Sequence, residues 1–424
     1  MSTEATGTLP TPAAAKPSST GATTPQAPVP SVTPQGSLTH STPNPTTPPP
    51  APISNPSNGG AAGSDGAPAQ TATGGSANGG SRGTSTPAQP SASDSTPSGA
   101  GTGGNASRGG SDGGGGTAGG GLDDCGVEPV NPNTTAEARR LLCYLYSVYG
   151  KGVISGQQET SWIANPADDV DWIMQQTGKF PAILGGDYLY PDGTTDRAKA
   201  WWEAGGITMV RYHMGAPPQS DTYDNSKSSS NIDAVLQAGT QENTSFNSKL
   251  DYVAGELQKL QDANVAVLWA PFHEVQANGW FWWAKGSGAQ FIDLWKYMFD
   301  YLTTDKGINN LVWLFPYSNN PAGDYFPGKE YVDIAGADCY DKNPPFESLF
   351  QSTQGIVGKT VPIPLHETGV IPDPETMFPN AAPWLLFSVW AGYEKDTSQN
   401  SVEGIKAAYA SQYTITRDEL PSFK

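Results

Sequence analysis

The chain has 424 residues, and its 23 basic and 41 acidic side chains give a formal net charge of −18 at pH 7. A surface this acidic disfavours nucleic acid, anionic membranes and polyanionic sugars as partners, because like charges repel. The sequence contains no run of 18 or more apolar residues, so it predicts no transmembrane helix.

Residues 1–121 differ in composition from the rest of the chain. They consist almost wholly of Ser, Thr, Pro, Gly and Ala, and they contain no Phe, Tyr, Trp or Cys. Such a segment has too little apolar surface to offset the entropy that is lost when its backbone is ordered. We therefore predict a disordered linker over residues 1–121 and one folded domain over residues 122–424.

The linker also bears on where the protein acts. Stalks rich in Ser, Thr and Pro are common in secreted proteins, and the first residues, MSTEATGTLPTPAAAK, lack the apolar core of a signal peptide. We expect an extracellular protein with a further segment upstream of the linker, such as a carbohydrate-binding module or an anchor. The alternative is a solubilising stalk without a partner.

The three cysteines lie in the folded part of the chain. Cys125 and Cys143 flank its start and could form a disulfide that closes a short loop. Cys339 lies in the apolar run DIAGADCY, where a small buried core residue is expected.

The predicted elements of the folded part alternate between helices and strands. Helical spacing covers residues 135–150, 245–263 and 289–304, and Thr244 or Ser245 is the predicted N-cap of the second helix. Eight short runs are nearly continuously apolar, as parallel strands covered on both faces must be. These runs are 152–158, 182–188, 207–214, 265–274, 311–318, 333–340, 361–369 and 384–392. Together the elements predict an α/β fold, a (β/α)8 TIM barrel.

Two glutamates are the candidate catalytic residues. Active sites of such barrels lie at the carboxyl ends of the strands. Glu274 closes the fourth run and Glu367 closes the seventh, so both can face one mouth from nearly opposite sides. A retaining glycosidase needs two carboxyl groups about 5 Å apart, one as acid and one as nucleophile. The pair therefore predicts a glycosidase.

The neighbours of the two glutamates favour different protonation states. Glu274 follows His273 and precedes the aromatic block 280–283, where loss of hydration raises the pKa of a carboxyl group, as a general acid requires. Strict strand alternation would place four side chains of the fourth run on one face, namely Leu268, Ala270, Phe272 and Glu274. The alternative interpretation is that Glu274 pairs with a cation and only stabilises the fold.

Glu367 must be ionised to attack a sugar. Tyr317, which ends the fifth run, and Arg211 or His213, which end the third, are expected to hydrogen-bond its carboxylate and lower its pKa.

Further polar and aromatic residues line the strand ends. Flat indole rings suit stacking on sugars, and at least two of four candidates are expected to be partly in the core; they are Trp280, Trp282, Trp283 and Trp390. Strand-end aspartates are expected to bind hydroxyls or to cap loops, and these are Asp187, Asp338 and Asp341. No metal-ligand spacing, phosphate loop or nucleophile elbow is present, so the sequence predicts no metal or cofactor.

These motifs resemble those of glycoside hydrolase family 26, the β-mannanase family of clan A. The resemblance rests on ISGQQE (154–159), HE followed by GWFWW (273–283), YVDIAGADCY (331–340) and HETG (366–369), which occur in the order of the family. It implies a (β/α)8 barrel and a retaining endo-β-1,4-mannanase. Such an enzyme acts by double displacement on β-mannan or a related neutral β-glycan, without a cofactor.

The resemblance also implies roles for single residues. Glu274 matches the acid/base and Glu367 the nucleophile, while Tyr317 looks like the tyrosine that contacts the nucleophile. The residues that match its sugar-binding site are His213, His273, Trp280 and Trp390. Two features depart from the family: Ala270 stands where Arg is common, and the segment from Glu274 to Trp280 is one residue longer than usual. Arg211 is expected to replace the missing cation.

Two other readings of the same residues stay open. Within the same family, the substrate could instead be a mixed-linkage β-1,3-1,4-glucan or a β-1,3-xylan. From a different class, the chain could be a non-catalytic barrel that binds glycans.

Overall fold

The computed structural model describes Leu122 and residues 125–160, 168–189, 193–379 and 381–424. The predicted linker, residues 1–121, lies outside the described residues. Within the described part of the chain, no helix is both long enough and apolar enough to cross a membrane.

Eight parallel strands form a closed barrel. They follow one another around the ring in chain order, and the first strand pairs with both the second and the eighth. The strands are β1 Val153–Gln158, β2 Ile183–Asp187, β3 Ile207–Arg211, β4 Val267–Trp269, β5 Leu311–Pro316, β6 Ile334–Cys339, β7 Leu365–Thr368 and β8 Leu386–Val389. Each lies within one of the eight predicted runs, so the predicted TIM barrel is confirmed. A two-residue strand, β9 (Thr414–Ile415), pairs with β1 outside the ring.

Helices separate most of the strands. The α-helices of the described residues are α1 Ala136–Val148, α2 Asp168–Thr177, α3 Thr194–Glu203, α4 Tyr223–Ser226, α5 Ile232–Leu236, α6 Gln241–Asp262, α7 Gly288–Asp300, α8 Glu347–Val357, α9 Pro374–Met377 and α10 Val402–Ala410. A π-helical turn, Tyr301–Asp305, extends α7. The three predicted helical segments correspond to α1, α6 and α7.

The start of α6 differs from the prediction. Its N-cap is Thr240, whose hydroxyl accepts a hydrogen bond from the backbone N–H of Asn243 at 3.0 Å, rather than Thr244 or Ser245. The helix therefore begins one turn earlier. The extra turn, QENT, is polar and carries no apolar period, so spacing alone could not reveal it.

The core between the barrel and its helices is rich in aromatic rings. Trp295 of α7 packs against Trp313 and Phe315 of β5, with ring centroids 5.9 and 4.9 Å away. All six residues of β5 are buried, because one face contacts the helices and the other fills the barrel. Trp313 and Phe315 thus lie on the outer face of β5. Because side chains alternate along a strand, every second residue after Phe315 is expected on the same face.

The N-terminal edge of the domain is covalently anchored. Cys125 and Cys143 form a disulfide that ties the segment before α1 to the helix itself. Cys339 is a free, buried cysteine at the end of β6, as expected.

Candidate active site

Three carboxyl groups meet at the carboxyl ends of β4, β6 and β7. Glu274, Asp338 and Glu367 are all buried, and one oxygen of each lies within 4.8 Å of an oxygen of the other two. The structure therefore brings the two predicted glutamates together and adds a third carboxyl group.

Glu367 lies within β7, where the pairing of this strand with both β6 and β8 shifts register. It is the next-to-last residue of β7, and its Cα pairs in register with that of Asp338 on β6. Arg211 Nε lies 3.2 Å from Glu367 Oε2, and the hydroxyl of Tyr340 donates to Oε1 at 2.6 Å. On balance the pKa of Glu367 is raised, because the effect of burial exceeds those of the Arg211 charge and the Tyr340 hydrogen bond, which lower it. Both contacts favour the ionised form that a nucleophile needs.

The predicted contact between Tyr317 and Glu367 is wrong. The hydroxyl of Tyr317 donates instead to the carbonyl oxygen of Ala322 at 2.9 Å. Tyr317 continues the outer face of β5, and its ring centroid lies 4.7 Å from that of Phe315. Strand alternation therefore turns Tyr317 away from the mouth, and Tyr340 makes the predicted contact from the end of β6.

Arg211 is the cation beside Glu367. It ends β3 and is fully buried, and its two terminal nitrogens donate to Gln158 Oε1 and to the carbonyl oxygen of His366. Ala270, at the position where Arg was expected from the resemblance, is also buried and brings no charge. Arg211 thus supplies the positive charge at Glu367, as expected.

The backbone that carries Glu274 is irregular. β4 ends at Trp269, and both Phe272 (φ 48°) and Glu274 (φ 56°) adopt left-handed conformations. The predicted strand alternation through residue 274 is therefore wrong. The ring of Phe272 packs outward on Trp282, with centroids 6.0 Å apart, while Glu274 reaches the mouth. A left-handed backbone is unfavourable for residues other than glycine, so surrounding packing must hold it.

The neighbours of Glu274 favour its protonated form. Trp280 Nε1 donates to Glu274 Oε2 at 2.9 Å. Glu274 Oε1 and Asp338 Oδ1 are buried and have no other partner among the described residues, so a proton shared between the two side chains satisfies both. Burial, followed by the charges of Asp338 and Glu367, raises the pKa of Glu274 well above its ordinary value. Burial likewise raises the pKa of Asp338, to about 8. Glu274 therefore holds a proton near neutral pH.

The two predicted histidines lie against each other beside the acid. The rings of His213 and His273 are 4.1 Å apart, edge to face. Nδ1 of His213 contacts the carboxylate of Asp187 on β2, which fixes the orientation of the ring. Burial lowers the pKa of His273 well below its ordinary value, and the nearby His213 and Arg211 act in the same direction. His273 is therefore neutral and adds no charge beside Glu274.

The four candidate tryptophans divide into two pairs. Trp282 and Trp283 are fully buried, and their indole nitrogens donate to the carbonyl oxygens of Met214 and His273 at 3.0 and 3.1 Å. These two belong to the core, as expected for at least two of the four. Trp280 is half-buried against Glu274, and Trp390 follows β8 with its ring centroid 5.9 Å from the guanidinium carbon of Arg211. Only this second pair borders the reacting groups.

The strand-end aspartates have three different positions. Asp187 contacts His213 and also accepts from the backbone N–H of Leu189 at 2.8 Å, so it caps a loop as expected. Asp338 pairs with Glu274, and Asp341 is exposed. Carboxylate oxygens also bind divalent cations. However, Trp280 and Arg211 already contact one oxygen each of Glu274 and Glu367, which suits a proton-transfer site better than a metal site.

Sequence reasoning missed the contacts that Asp338, Tyr340 and Gln158 make with Glu274, Glu367 and Arg211, respectively. Asp338 and Tyr340 are two residues apart at the end of β6 and so reach the same side of the sheet, an alternation that was visible in the sixth run. Gln158, the last residue of β1, was visible only as part of the ISGQQE motif.

Comparison with known proteins gives consistent matches. The model of glycosyl hydrolase family 26 matches residues 130–419. A mannan endo-1,4-beta-mannosidase of Thermothelomyces thermophilus is 31% identical over 318 residues, which cover 69% of this chain and 63% of that relative. The chain thus spans less than two thirds of the length of this relative.

Solved structures match the same region. A ruminal GH26 endo-beta-1,4-mannanase has a TM-score of 0.65 and 30% identity, with 71% of this chain and 72% of that chain covered. The GH26-CBM35 beta-(1,4)-mannanase of Podospora anserina has a TM-score of 0.63 and 32% identity, with 70% and 69% covered. The fold of this chain therefore recurs in these two proteins.

Proposed function

Because the chain belongs to glycosyl hydrolase family 26, we propose that it is a retaining endo-β-1,4-mannanase that hydrolyses mannan-type polysaccharide by double displacement. The observation that carries the proposal is the spacing of Glu274 and Glu367, whose nearest oxygens lie within 4.8 Å. Retaining glycosidases have carboxyl groups about 5 Å apart, whereas inverting enzymes need a wider gap for a water molecule.

In the first step, Glu367 attacks the anomeric carbon of the sugar. Arg211 and Tyr340 hold its carboxylate ionised and in a fixed orientation. Glu274 gives its proton to the glycosidic oxygen as that bond breaks, so the leaving chain departs as a neutral alcohol. The product of this step is a covalent glycosyl–Glu367 ester.

In the second step, a water molecule cleaves the ester. Glu274 is now ionised and accepts a proton from the water, whose oxygen attacks the anomeric carbon. Glu367 leaves as a carboxylate, and both glutamates return to their starting protonation states. Trp280 stays within hydrogen-bond distance of Glu274 and so orients the carboxyl group in both roles.

The choice of mannan rests on the relatives, which are named as mannan endo-1,4-beta-mannosidases. A reducing-sugar assay on mannan, galactomannan, lichenan and xylan tests it, and we expect the highest kcat/KM on a mannan. A rapid fall in viscosity at low sugar release is expected for endo action. A preference for lichenan or xylan would instead identify the β-1,3-1,4-glucanase or β-1,3-xylanase alternative.

We further propose that the protein acts outside the cell. The disulfide between Cys125 and Cys143 supports this, because such bonds persist in oxidising compartments, and a polysaccharide is accessible there. The upstream carbohydrate-binding module remains a prediction, in keeping with a structural neighbour that is named GH26-CBM35. Detection of the protein in the culture medium of its source, rather than in washed cells, tests the location.

A further inference from the structure

We propose that Gln158 is a positioning residue whose side-chain amide accepts a hydrogen bond from Arg211 and so holds the guanidinium against Glu367. Because the amide is neutral, it does not form a second ion pair with Arg211. The inference rests on the proposed function, since it concerns the nucleophile of that reaction. Gln158 ends β1, on the far side of β2 from Arg211, and it is fully buried.

The contacts of Arg211 show why an acceptor is needed at this place. Nε of Arg211 faces the carboxylate of Glu367, while Nη1 and Nη2 donate to Gln158 Oε1 and to the His366 carbonyl oxygen. Both of these acceptors are neutral. Among the described residues, the one ion pair of Arg211 is therefore with Glu367. A buried guanidinium needs its N–H groups satisfied, and two neutral acceptors do this while its charge serves one carboxylate.

Because residue 158 is glutamine rather than glutamate, it adds no negative charge beside Arg211. The two side chains have nearly the same shape, but a carboxylate at position 158 would bind Arg211 as a second anion. It would also repel Glu367. Both effects would disfavour the ionised form of Glu367, which the attack on the sugar requires.

The neighbouring strand leaves space for this side chain. Gln158 pairs in register with Gly185 of β2. A Cβ atom at Gly185 would overlap Oε1 of Gln158 and would lie 3.1 Å from its Cα. The absence of a side chain at Gly185 thus lets the amide of Gln158 cross β2 and reach Arg211.

Several other titratable groups surround Glu367 and contribute to its pKa. They come from β2, β3, the segments after β3 and β4, the end of β6 and the turn after β8. These groups are Asp187, Arg211, His213, Glu274, Asp338, Tyr340 and Tyr393. The test therefore changes the charge at position 158 alone and follows Glu367 directly.

The experiment compares Gln158→Glu with the wild-type chain. The ionisation of Glu367 is followed by ¹³C NMR of protein labelled at glutamate side chains, with Glu367→Gln to assign the signal. We expect Gln158→Glu to raise the pKa of Glu367, and the acidic limb of kcat/KM on mannan, by about one pH unit or more. An unchanged Glu367 titration in Gln158→Glu overturns the inference.

A matched pair of neutral variants covers the case in which Gln158→Glu does not fold. Gln158→Met removes the acceptor, and we expect kcat to fall about tenfold with little change in KM, because Arg211 loses its orientation. Gln157→Met makes the same change one residue earlier, where the amide donates to Glu394 Oε2 at 3.0 Å and to the backbone carbonyl oxygen of Gln158 at 2.9 Å, and not to a group that contacts Arg211. It should lower the melting temperature but not kcat. Equal kcat values for the two variants overturn the inference.

Failure of the proposed function is distinguishable from failure of this inference. A folded wild-type chain that cleaves none of the four glycans contradicts the proposed function. The NMR titration of Glu367 needs no substrate, so it decides the role of Gln158 in either case.

Discussion

The two glutamates proposed as catalytic residues are carried by backbones of different kinds. Glu367 lies inside β7, which is paired with β6 and β8 on its two sides. Glu274 lies beyond the end of β4, in a left-handed conformation, on a segment that regains contact with β5 only at Val275. Glu367 is therefore positioned by its pairing with two strands, whereas Glu274 is positioned by the packing of an irregular segment.

Their electrostatic surroundings differ in the same way. Glu367 contacts a buried cation and a phenolic hydroxyl, while Glu274 contacts an indole N–H and a second carboxyl group. Burial raises the pKa of both side chains, but the contacts of Glu367 favour its ionised form and those of Glu274 favour its protonated form. A strand that is paired on both sides carries the carboxyl group proposed to attack as an anion, and the irregular segment after β4 carries the one proposed to exchange a proton.

The largest expected effect follows removal of the nucleophile. Glu367→Ala should lower kcat by at least about 10⁴-fold, because no covalent intermediate can form. Added azide should restore some turnover of an activated β-mannoside by entering the vacated space, which gives an α-mannosyl azide. Product analysis by NMR checks this.

The corresponding acid variant sharpens the comparison. Glu274→Ala still forms the ester with an activated substrate, so azide should then give a β-mannosyl azide. A β-mannosyl azide from Glu367→Ala together with an α-mannosyl azide from Glu274→Ala would show that the two roles are reversed. Normal hydrolysis of polymer by Glu367→Ala would contradict the assignment of the nucleophile.

The next largest effect concerns the cation. Arg211→Met removes the positive charge that lowers the pKa of Glu367, so this pKa should rise. Since Glu367 must be ionised to attack, the acidic limb of the pH–kcat/KM profile should move upward by about one unit or more, and kcat should fall. A variant with an unchanged limb and kcat would exclude Arg211 from this role. Arg211→Lys, which retains a charge, serves as the control.

Asp338, the third carboxyl group, should affect the alkaline limb of the pH–kcat/KM profile. The negative charge of Asp338 raises the pKa of Glu274, so Asp338→Asn should lower that pKa. Because Glu274 must be protonated in the first step, the alkaline limb of kcat/KM should then move to lower pH by about one unit. An alkaline limb that stays in place, measured by initial rates across the pH range, would mean that Asp338 does not set the protonation of the acid.

The smallest effect distinguishes two tyrosines. Tyr340→Phe removes one hydrogen bond to Glu367, so the acidic limb should rise by a fraction of a unit and kcat should fall several-fold. Tyr317→Phe removes a hydrogen bond to Ala322 far from the carboxylate. It should cost about 1 kcal/mol of stability and leave the pH profile unchanged. The reverse result would restore the prediction made from the sequence.

The regular part of the fold could be predicted because buried parallel strands have an unmistakable composition. Each apolar run contains one strand of the barrel, and the glutamates stood at the right strand ends. The site could not be predicted where the backbone departs from the two-residue alternation of side chains along a strand. The left-handed residues Phe272 and Glu274 break the alternation after Trp269, and no local signal marks them.

The choice between tyrosines had a different cause. Tyr317 and Tyr340 both follow apolar runs, and only the direction of each side chain separates them. Trp313 and Phe315 mark the outer face of β5, so Tyr317 was predictable from alternation once the packing partners of that strand were known. Asp338 and Glu274 lie at the ends of different strands, and a single sequence does not show which strand ends lie in contact.

The disulfide at the start of the domain has a mechanical consequence. Tension applied to the chain upstream of Cys125 passes through the sulfur–sulfur bond directly into the middle of α1, at Cys143. Residues 126–142 therefore form a shielded loop that carries no load. A pull on the upstream chain therefore enters α1 only at Cys143 and leaves the turns of the helix before Cys143 unloaded.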